Sequence, residues 1–400
     1  MRILLLNLYY PPDTSATAKM AKIVADALAV NHDVTILCGR PSYEPTERRP
    51  WRFYQKEHAG RVRIIRVGST AYLRVQMKKR ILNYLTYVLL AIPCALLIPC
   101  DVILAMTDPP FEGIVGAFVA MLQDRPYVYN IRDLYPDMAV GGSIVKPGLL
   151  ARVWEQLHRW ALRRACKVIV LGEDMRNRIL AKGVNPSNVV VARDGAEISG
   201  SSSPLASPDD SVVKAIREGF RFVLLHAGNL GFYGAWDTLV QGARLLAKDG
   251  IGLVFVGDGA QKESLKAACA GIPNVRFLPF FPTTKVPAVL AAPDAHVITI
   301  KRGLEGVVVP SKLYGILAAG KPIVAVAPAE CDVVSLGKRN GFAVSADPND
   351  PLQFAECVRT VALDPSRLRK MAEAAAATAP EYERTRELQK LITVIENAKP

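Results

Sequence analysis

The chain has 400 residues, half of them hydrophobic and 22% charged, which is more than one hydrophobic core comfortably serves and asks for two domains. An ordinary charged fraction with evenly spread Leu, Val and Ile excludes a disordered, collagenous or coiled-coil chain. A net charge of +13 asks for an anionic partner. Residues 1–200 carry 27 basic and 17 acidic side chains, against 23 and 20 in residues 201–400. Within the first half, residues 40–80 hold 12 basic and 3 acidic side chains, a local charge of +9.

In chain order, short apolar and mostly β-branched runs predict strands at Ile3–Leu8, Val34–Leu37, Val62–Val67, Val102–Met106, Tyr127–Ile131, Val168–Leu171 and Val189–Val191. Ala18–Val30 and Leu149–Ala165 are among the intervening stretches long enough for helices. Strand followed by helix, repeated, gives a parallel sheet covered on both faces. The rhythm restarts with strands at Phe222–Leu225, Leu253–Val256, Val275–Leu278, Ala295–Ile300, Ile323–Val326 and Phe342–Val344. Between the two series, Ser199–Asp210 is rich in Ser, Pro and Gly and reads as a linker. The expected organisation is a domain over 1–198, a linker over 199–212, a domain over 213–379, and a closing helical segment over 380–400 that packs back on the first domain.

The N-terminus shows no apolar region of signal-peptide length and no small-residue cleavage site, so the chain is expected in the cytoplasm. Seven scattered cysteines form no CxxC pair and have no histidine at metal spacing, which argues against a disulfide framework or a zinc site. The five histidines do not cluster and read as structural, His226 being the one beside the Gly228-Asn229 loop.

Ligands of open parallel sheets sit beyond the carboxyl ends of the strands, in a cleft where two such domains face each other. Gly257-Asp258-Gly259 follows a predicted strand and precedes a helical run. It reads either as backbone amides facing a phosphate or nucleoside, or as a tight turn that only glycine permits. No GxGxxG or GxxxxGK[ST] string occurs in the first strand-to-helix turn, which disfavours a dinucleotide dehydrogenase or P-loop NTPase. Residues 303–322 carry the densest signal: a glycine-containing loop, Pro310 and Ser311 at a helix start, Lys312 and Leu313 in its first turn, and Gly320 as its stop. A helix start with a hydroxyl and a lysine suits an anion.

The string VPSKLYGILAAGKPIVAV (309–326), with HAGNLG (226–231), VFVGDG (254–259) and LPFFP (278–282), resembles the donor domain of family 4 glycosyltransferases. ILLLNLYYPPDTSAT (3–17), TDPPF (107–111), YNIRDLYPDMAV (129–140) and RRACKVIVLGEDMRNRI (163–179) resemble the acceptor domain of the branch that builds bacterial surface polysaccharides and O-antigens. The resemblance implies a GT-B fold, two Rossmann-like α/β domains whose parallel sheets face a central cleft. It implies a nucleotide-diphosphate sugar on the second domain, an acceptor on the first, and transfer with retention and no metal or other cofactor. Gly228, Asn229, Gly257, Asp258, Gly259, Glu305, Pro310, Ser311, Lys312 and Leu313 are the donor-binding candidates.

This sequence departs from the family where it has two Glu eight residues apart, since Val307 and Gly315 stand there; Glu305, two residues away, is a substitute. The family's Arg and Lys after the first donor-domain strand align with Asn229 and Gly234, leaving Lys301, Arg302 or Lys312 to supply the charge. Without a metal, a departing diphosphate is stabilised by amides and cationic side chains.

Arg132-Asp133 ends a strand at the expected cleft. Asp133 accepts or positions the proton of an acceptor hydroxyl while Arg132 holds its charge state or meets a phosphate; the alternative is an ion pair that anchors the loop. Asp108 precedes Pro109 and reads as a turn residue. Asp13, Ser15 and Thr17 replace the usual glycines of the first loop and either touch the acceptor or cap the following helix.

Tyr84–Cys100 has no charge, is interrupted by Pro93 and Pro99, and follows Lys78, Lys79 and Arg80. It is too short to span and reads as a monotopic surface on anionic lipid, or as a core helix with a solvated basic neighbour. Nucleic acid is disfavoured, because no aromatic residues interleave with the basic ones. The leading expectation is transfer of a sugar from a nucleotide-diphosphate sugar to a polyprenyl-diphosphate-linked saccharide at the inner membrane face. A sugar-nucleotide epimerase of the same fold and a noncatalytic sugar-nucleotide or membrane-binding protein are the alternatives; the oligomeric state is open.

Overall fold

A computed structural model describes residues 1–42, 51–72, 77–197 and 210–398, without the side chains of Met77 and Lys78. Chain contacts divide it into two compact units, Met1–Ala192 with Leu388–Pro400, and Arg193–Glu387. Most of the expected linker, and Arg48, Arg49 and Arg74 of the basic segment, lie outside the described residues.

The first unit holds an eight-stranded sheet in the order β3-β4-β2-β1-β5-β6-β7-β8. Its strands are β1 (Arg2–Leu6), β2 (Asp33–Cys38), β3 (Tyr54–Ala59), β4 (Val62–Val67), β5 (Val102–Ala105), β6 (Tyr127–Asn130), β7 (Lys167–Val170) and β8 (Val189–Val191). Its helices are α1 (Ala16–Leu28), α2 (Met77–Leu96), α3 (Glu112–Gln123), α4 (Asp137–Gly141), α5 (Leu149–Arg164) and α6 (Glu173–Ala181). All pairings are parallel except β3 with β4, an antiparallel hairpin on the sheet edge that the apolar pattern does not show. Tyr-Gln-Lys-Glu-His-Ala has no apolar run, because an edge strand here buries little of either face.

The sheet is buried on both sides, so alternate residues serve different cores. Ile3, Leu5, Ile36 and Leu104 pack with Val24 and Leu28 of α1 and with Leu391 and Ile395 near the C-terminus. On the other face, α3 approaches β5 and β6 so closely that a Cβ at Gly113 would meet the Tyr129 ring at 2.2 Å. Burial of this kind supplies the main stabilisation of the unit.

The second unit is a parallel six-stranded sheet in the order β11-β10-β9-β12-β13-β14. The strands are β9 (Phe222–Ala227), β10 (Ile251–Val256), β11 (Val275–Leu278), β12 (Ala295–Thr299), β13 (Ile323–Val326) and β14 (Ala343–Ala346). The helices are α7 (Ser211–Arg217), α8 (Trp236–Leu245), α9 (Lys262–Ala268), α10 (Val286–Ala291), α11 (Lys312–Ala318), α12 (Asp332–Asn340), α13 (Pro351–Ala362) and α14 (Pro365–Thr378). A last helix, α15 (Arg384–Glu396), runs from this unit into the C-terminal segment of the first. Phe255, Leu239, Phe354 and Val358 centre one core, and Val223, Leu225, Ile216 and Val289 the other.

Candidate functional site

At the carboxyl ends of β9 and β10 the second unit has a cavity of about 340 Å³. Gly228 and Val256 at the strand ends, Phe280 and Phe281 after β11, Leu290 of α10, and Ser311, Lys312 and Gly315 around α11 line it, with Gly195 and Arg384 closing one side. The walls are mostly apolar and the cations are few, a composition suited to a flat heterocycle with a charged tail.

Lys312 is the unusual group. Its Nζ lies 3.0 Å from the nearer ring nitrogen of His226, the buried residue near the end of β9. His226 is fixed edge-on to Trp236 with centroids 5.1 Å apart. Burial pushes the Lys312 ammonium down to about 7, with no carboxylate among the described residues offsetting it. Burial, and then the neighbouring Lys312, hold His226 well below the ordinary histidine range, so the imidazole is neutral. Arg384 lines the same cavity, donates from Nη1 to Glu197 Oε1 at 2.6 Å, and has a buried Nε–H with no acceptor among the described residues.

The glycine loops serve packing. Gly228 N–H donates to Val256 O (2.9 Å), Gly257 N–H to Leu278 O (3.1 Å) and Gly259 N–H to Asp258 Oδ1 (2.8 Å). Gly257 has φ +150°, and a Cβ there would stand 2.0 Å from Gly228 O. Of the two readings of Gly257-Asp258-Gly259, this geometry is that of the tight turn: the Gly257 and Gly259 donors, like that of Gly228, are spent inside the protein. Asn229 is exposed and its carbonyl accepts from the Tyr233 hydroxyl at 2.6 Å. Leu313 is core, and its N–H donates to Pro310 O at 3.0 Å. Glu305 Oε2 accepts from Gly303 N–H at 2.7 Å. Of the donor candidates, Gly228, Ser311 and Lys312 reach the cavity. Arg302 is exposed and paired with Asp347.

In the first unit, the loops after β1, β5 and β6 each carry a cis peptide bond, at Pro11-Pro12, Asp108-Pro109 and Tyr135-Pro136. Here Arg80 Nη2 donates to the hydroxyls of Tyr84 (2.6 Å) and Tyr9 (3.3 Å). Asp108 accepts from the Thr17 hydroxyl and lies in the field of Arg80 and Arg132; burial, the larger effect, pushes its carboxyl up. Asp133, Asp108 and Arg80 all act on Tyr135, whose hydroxyl burial and then Asp133 raise well above the usual tyrosine range. The structure thus brings together Arg132, Asp133 and Thr17 with Asp108, read as a turn residue, Arg80, read as membrane-facing, and Tyr135, which the sequence does not single out.

Arg80 is a correction, since its guanidinium is turned inward onto tyrosines. Arg66 of the basic segment is likewise internal, 3.1 Å from Glu57. Lys79 remains exposed, and the Lys78 side chain lies outside the described residues. Asp13 is buried and its Oδ1 accepts from Ser42 N–H at 2.9 Å. Ser15 is the N-cap of α1, accepting from Ala18 N–H at 3.1 Å. Both serve the loop itself. Tyr84–Cys100 lies mostly within α2, and among the described residues no helix is long and apolar enough to cross a membrane.

Residues 17–195 match the profile described as a glycosyl transferase 4-like domain, and residues 221–364 that of glycosyl transferases group 1. The chain is a glycosyltransferase built of these two domains. It is 25% identical to WbjE of Pseudomonas aeruginosa, which bears a glycosyltransferase name, over 64% of this chain and 65% of that protein. With WcaI of Escherichia coli K12, named for colanic acid biosynthesis, identity is 24% over 91% of this chain and 93% of that one. Among solved structures, Anabaena HepE in complex with UDP and glucose superposes with a TM-score of 0.70 at 16% identity, covering 99% of each chain. The fold is GT-B. Val307 and Gly315 are the two positions that the sequence resemblance sets against the family's Glu pair. Val307 is buried in the loop before α11, and Gly315 lines the cavity with Leu290 Cδ1 3.3 Å from where its Cβ would stand.

Proposed function

We propose that this glycosyltransferase moves a sugar from a nucleotide-diphosphate sugar to a polyprenyl-diphosphate-linked saccharide in surface polysaccharide assembly at the inner face of the cell membrane. Transfer retains anomeric configuration and uses no bound metal. The observation that carries the reading is the cavity of the second unit, of nucleoside size and with Lys312 and Arg384 as its cations. The polysaccharide name of WcaI and the UDP and glucose of HepE support the direction.

Phe280, Phe281 and Leu290 hold the base, while Lys312, Arg384 and the Ser311 hydroxyl receive the diphosphate. As the glycosidic bond to the acceptor forms, the old C–O bond breaks and its electron pair leaves with the diphosphate. Lys312 gains most at that moment, because a cation that burial has weakened is restored by an arriving anion. In the first unit, Asp133 positions the acceptor hydroxyl and takes up its proton, Arg132 and Arg80 meet the acceptor's diphosphate, and Asp108 orders both cations.

The test mixes the purified protein with a panel of sugar nucleotides and a membrane lipid extract. Release of nucleoside diphosphate together with a glycosylated lipid product is expected. Consumption of the donor without a lipid product assigns the epimerase or hydrolysis instead, and a panel left untouched removes transfer.

A further inference from the structure

Three helices covering one face of the first sheet leave an apolar surface uncovered. α3 lies between α2 and α5. The Tyr87 hydroxyl and Glu112 carboxyl, 2.9 Å apart, join α2 to α3, and Gln123 Nε2 donates to the carbonyls of Ala95 and Leu96 at the end of α2. Phe111, at the start of α3, packs on Trp154 of α5 with centroids 4.8 Å apart. The three are thus one rigid plate.

Each helix presents large aliphatic or aromatic side chains to solvent at helical spacing: Leu85 and Leu89 on α2, Phe118 and Leu122 on α3, Leu150 and Leu157 on α5. Leu89 is 71% exposed and Leu150 84%. Apolar side chains aligned on three adjacent helices form a patch, which isolated surface leucines do not. The exposed charges among and beside them are mostly basic: Lys79, Lys146, Arg152, Arg163 and Arg164. Glu112 is buried and Glu155 is paired with Lys182 at 2.7 Å, and the exposed Asp124 lies just past the end of α3.

We infer that the α2–α3–α5 plate is a monotopic docking surface for an anionic lipid leaflet, with the leucines entering the headgroup and acyl boundary and the cations meeting lipid phosphates. Charge complementarity selects the occupant, since an apolar field with a basic rim matches an anionic bilayer surface. No described helix is long and apolar enough to cross, so the plate lies on the leaflet. The surface extends beyond the α2 region to α3 and α5, and α2 itself carries Arg80 inward to Tyr9 and Tyr84. A lipid-linked diphosphate at the plate therefore lies beside the helix whose arginine is proposed to receive it.

The inference rests on the lipid-linked acceptor reading for its purpose, but its test uses neither donor nor acceptor. Full-length protein is floated with phosphatidylglycerol–phosphatidylethanolamine vesicles and with phosphatidylcholine vesicles. Binding to the first, weaker binding to the second, and partial loss in high salt are expected. L150E/L157E and L85E/L89E should each lower partitioning about tenfold or more, with melting temperature and UDP affinity unchanged. Parent-like flotation of L150E/L157E would overturn the three-helix surface. Equal binding to both vesicle types would remove the anionic lipid. A dimer in sedimentation equilibrium that the same substitutions dissociate, without vesicle binding by the parent, would give the plate to a second copy. Vesicle binding without any sugar transfer would leave the surface standing and sink the proposed function alone.

Discussion

In the first unit the groups at the strand ends are charges in one another's reach, Arg80 and Arg132 around Asp108 with Asp133 nearby. In the second, a largely apolar cavity holds a lysine whose near partner is a neutral imidazole. The first arrangement is preorganised for handling a proton and an anion, because its dipoles and charges are already oriented. In the second, the diphosphate of the proposed donor would return the proton to a lysine weakened by burial. Under the proposed function, the first unit serves the acceptor chemistry and the second the donor.

Asp133→Asn is expected to break the division most sharply. The amide keeps the shape and cannot accept the proton, so transfer should fall by about 100-fold or more while nucleotide affinity stays within about twofold. Steady-state transfer and calorimetric titration with nucleoside diphosphate measure the two sides. Equal transfer would remove Asp133 from the reaction, and a matching loss of nucleotide affinity would show that the two functions are not separable.

Lys312→Met should weaken nucleoside diphosphate binding by about tenfold. In the parent, the bound anion favours the protonated amine, so affinity is highest below about 7 and falls as pH rises through that value, by at most about tenfold per unit for one proton. The variant should lose that fall above about 7. His226 and His296 are held neutral by burial, so the pH dependence is assigned to Lys312. The sign for stability is opposite. Between about 7 and the ordinary lysine value of 10.5 the unfolded chain binds the proton and the folded one does not, so Lys312 makes stability rise with pH, and the variant loses that rise. A slope unchanged by the substitution would assign the titration to another group.

Much of the fold is legible from the apolar runs, since buried parallel strands are written as continuous β-branched segments, and β4, β8, β11 and β13 coincide with them. β3 is not, because its residues face solvent or the sheet edge and carry no apolar signature. The site is legible only in part. Lys312 declares itself by standing in a first helical turn, where a cation is unfavourable. Arg80 does not: beside Lys78 and Lys79 it looks like one more surface cation, and only the packing of α2 turns it toward Tyr9. Arg384 comes from a distant helix with no motif around it, and its arrival at the cavity is a property of chain topology.

The smallest effect concerns the boundary of the first unit's site. Ser15 has the residue type of a ligand contact, yet its hydroxyl oxygen accepts from Ala18 N–H as the cap of α1. Its neighbour Thr17 instead donates to Asp108. If capping is the whole role, Ser15→Ala should cost about 1 kcal/mol of unfolding free energy and leave the acceptor KM where it was. Thr17→Val, which removes the hydrogen bond to Asp108 at similar volume, should act on transfer instead. Denaturant unfolding and acceptor-dependent kinetics on the two variants place the edge of the site between residues two positions apart. A raised acceptor KM for Ser15→Ala, with unchanged stability, would move that edge outward to include the cap.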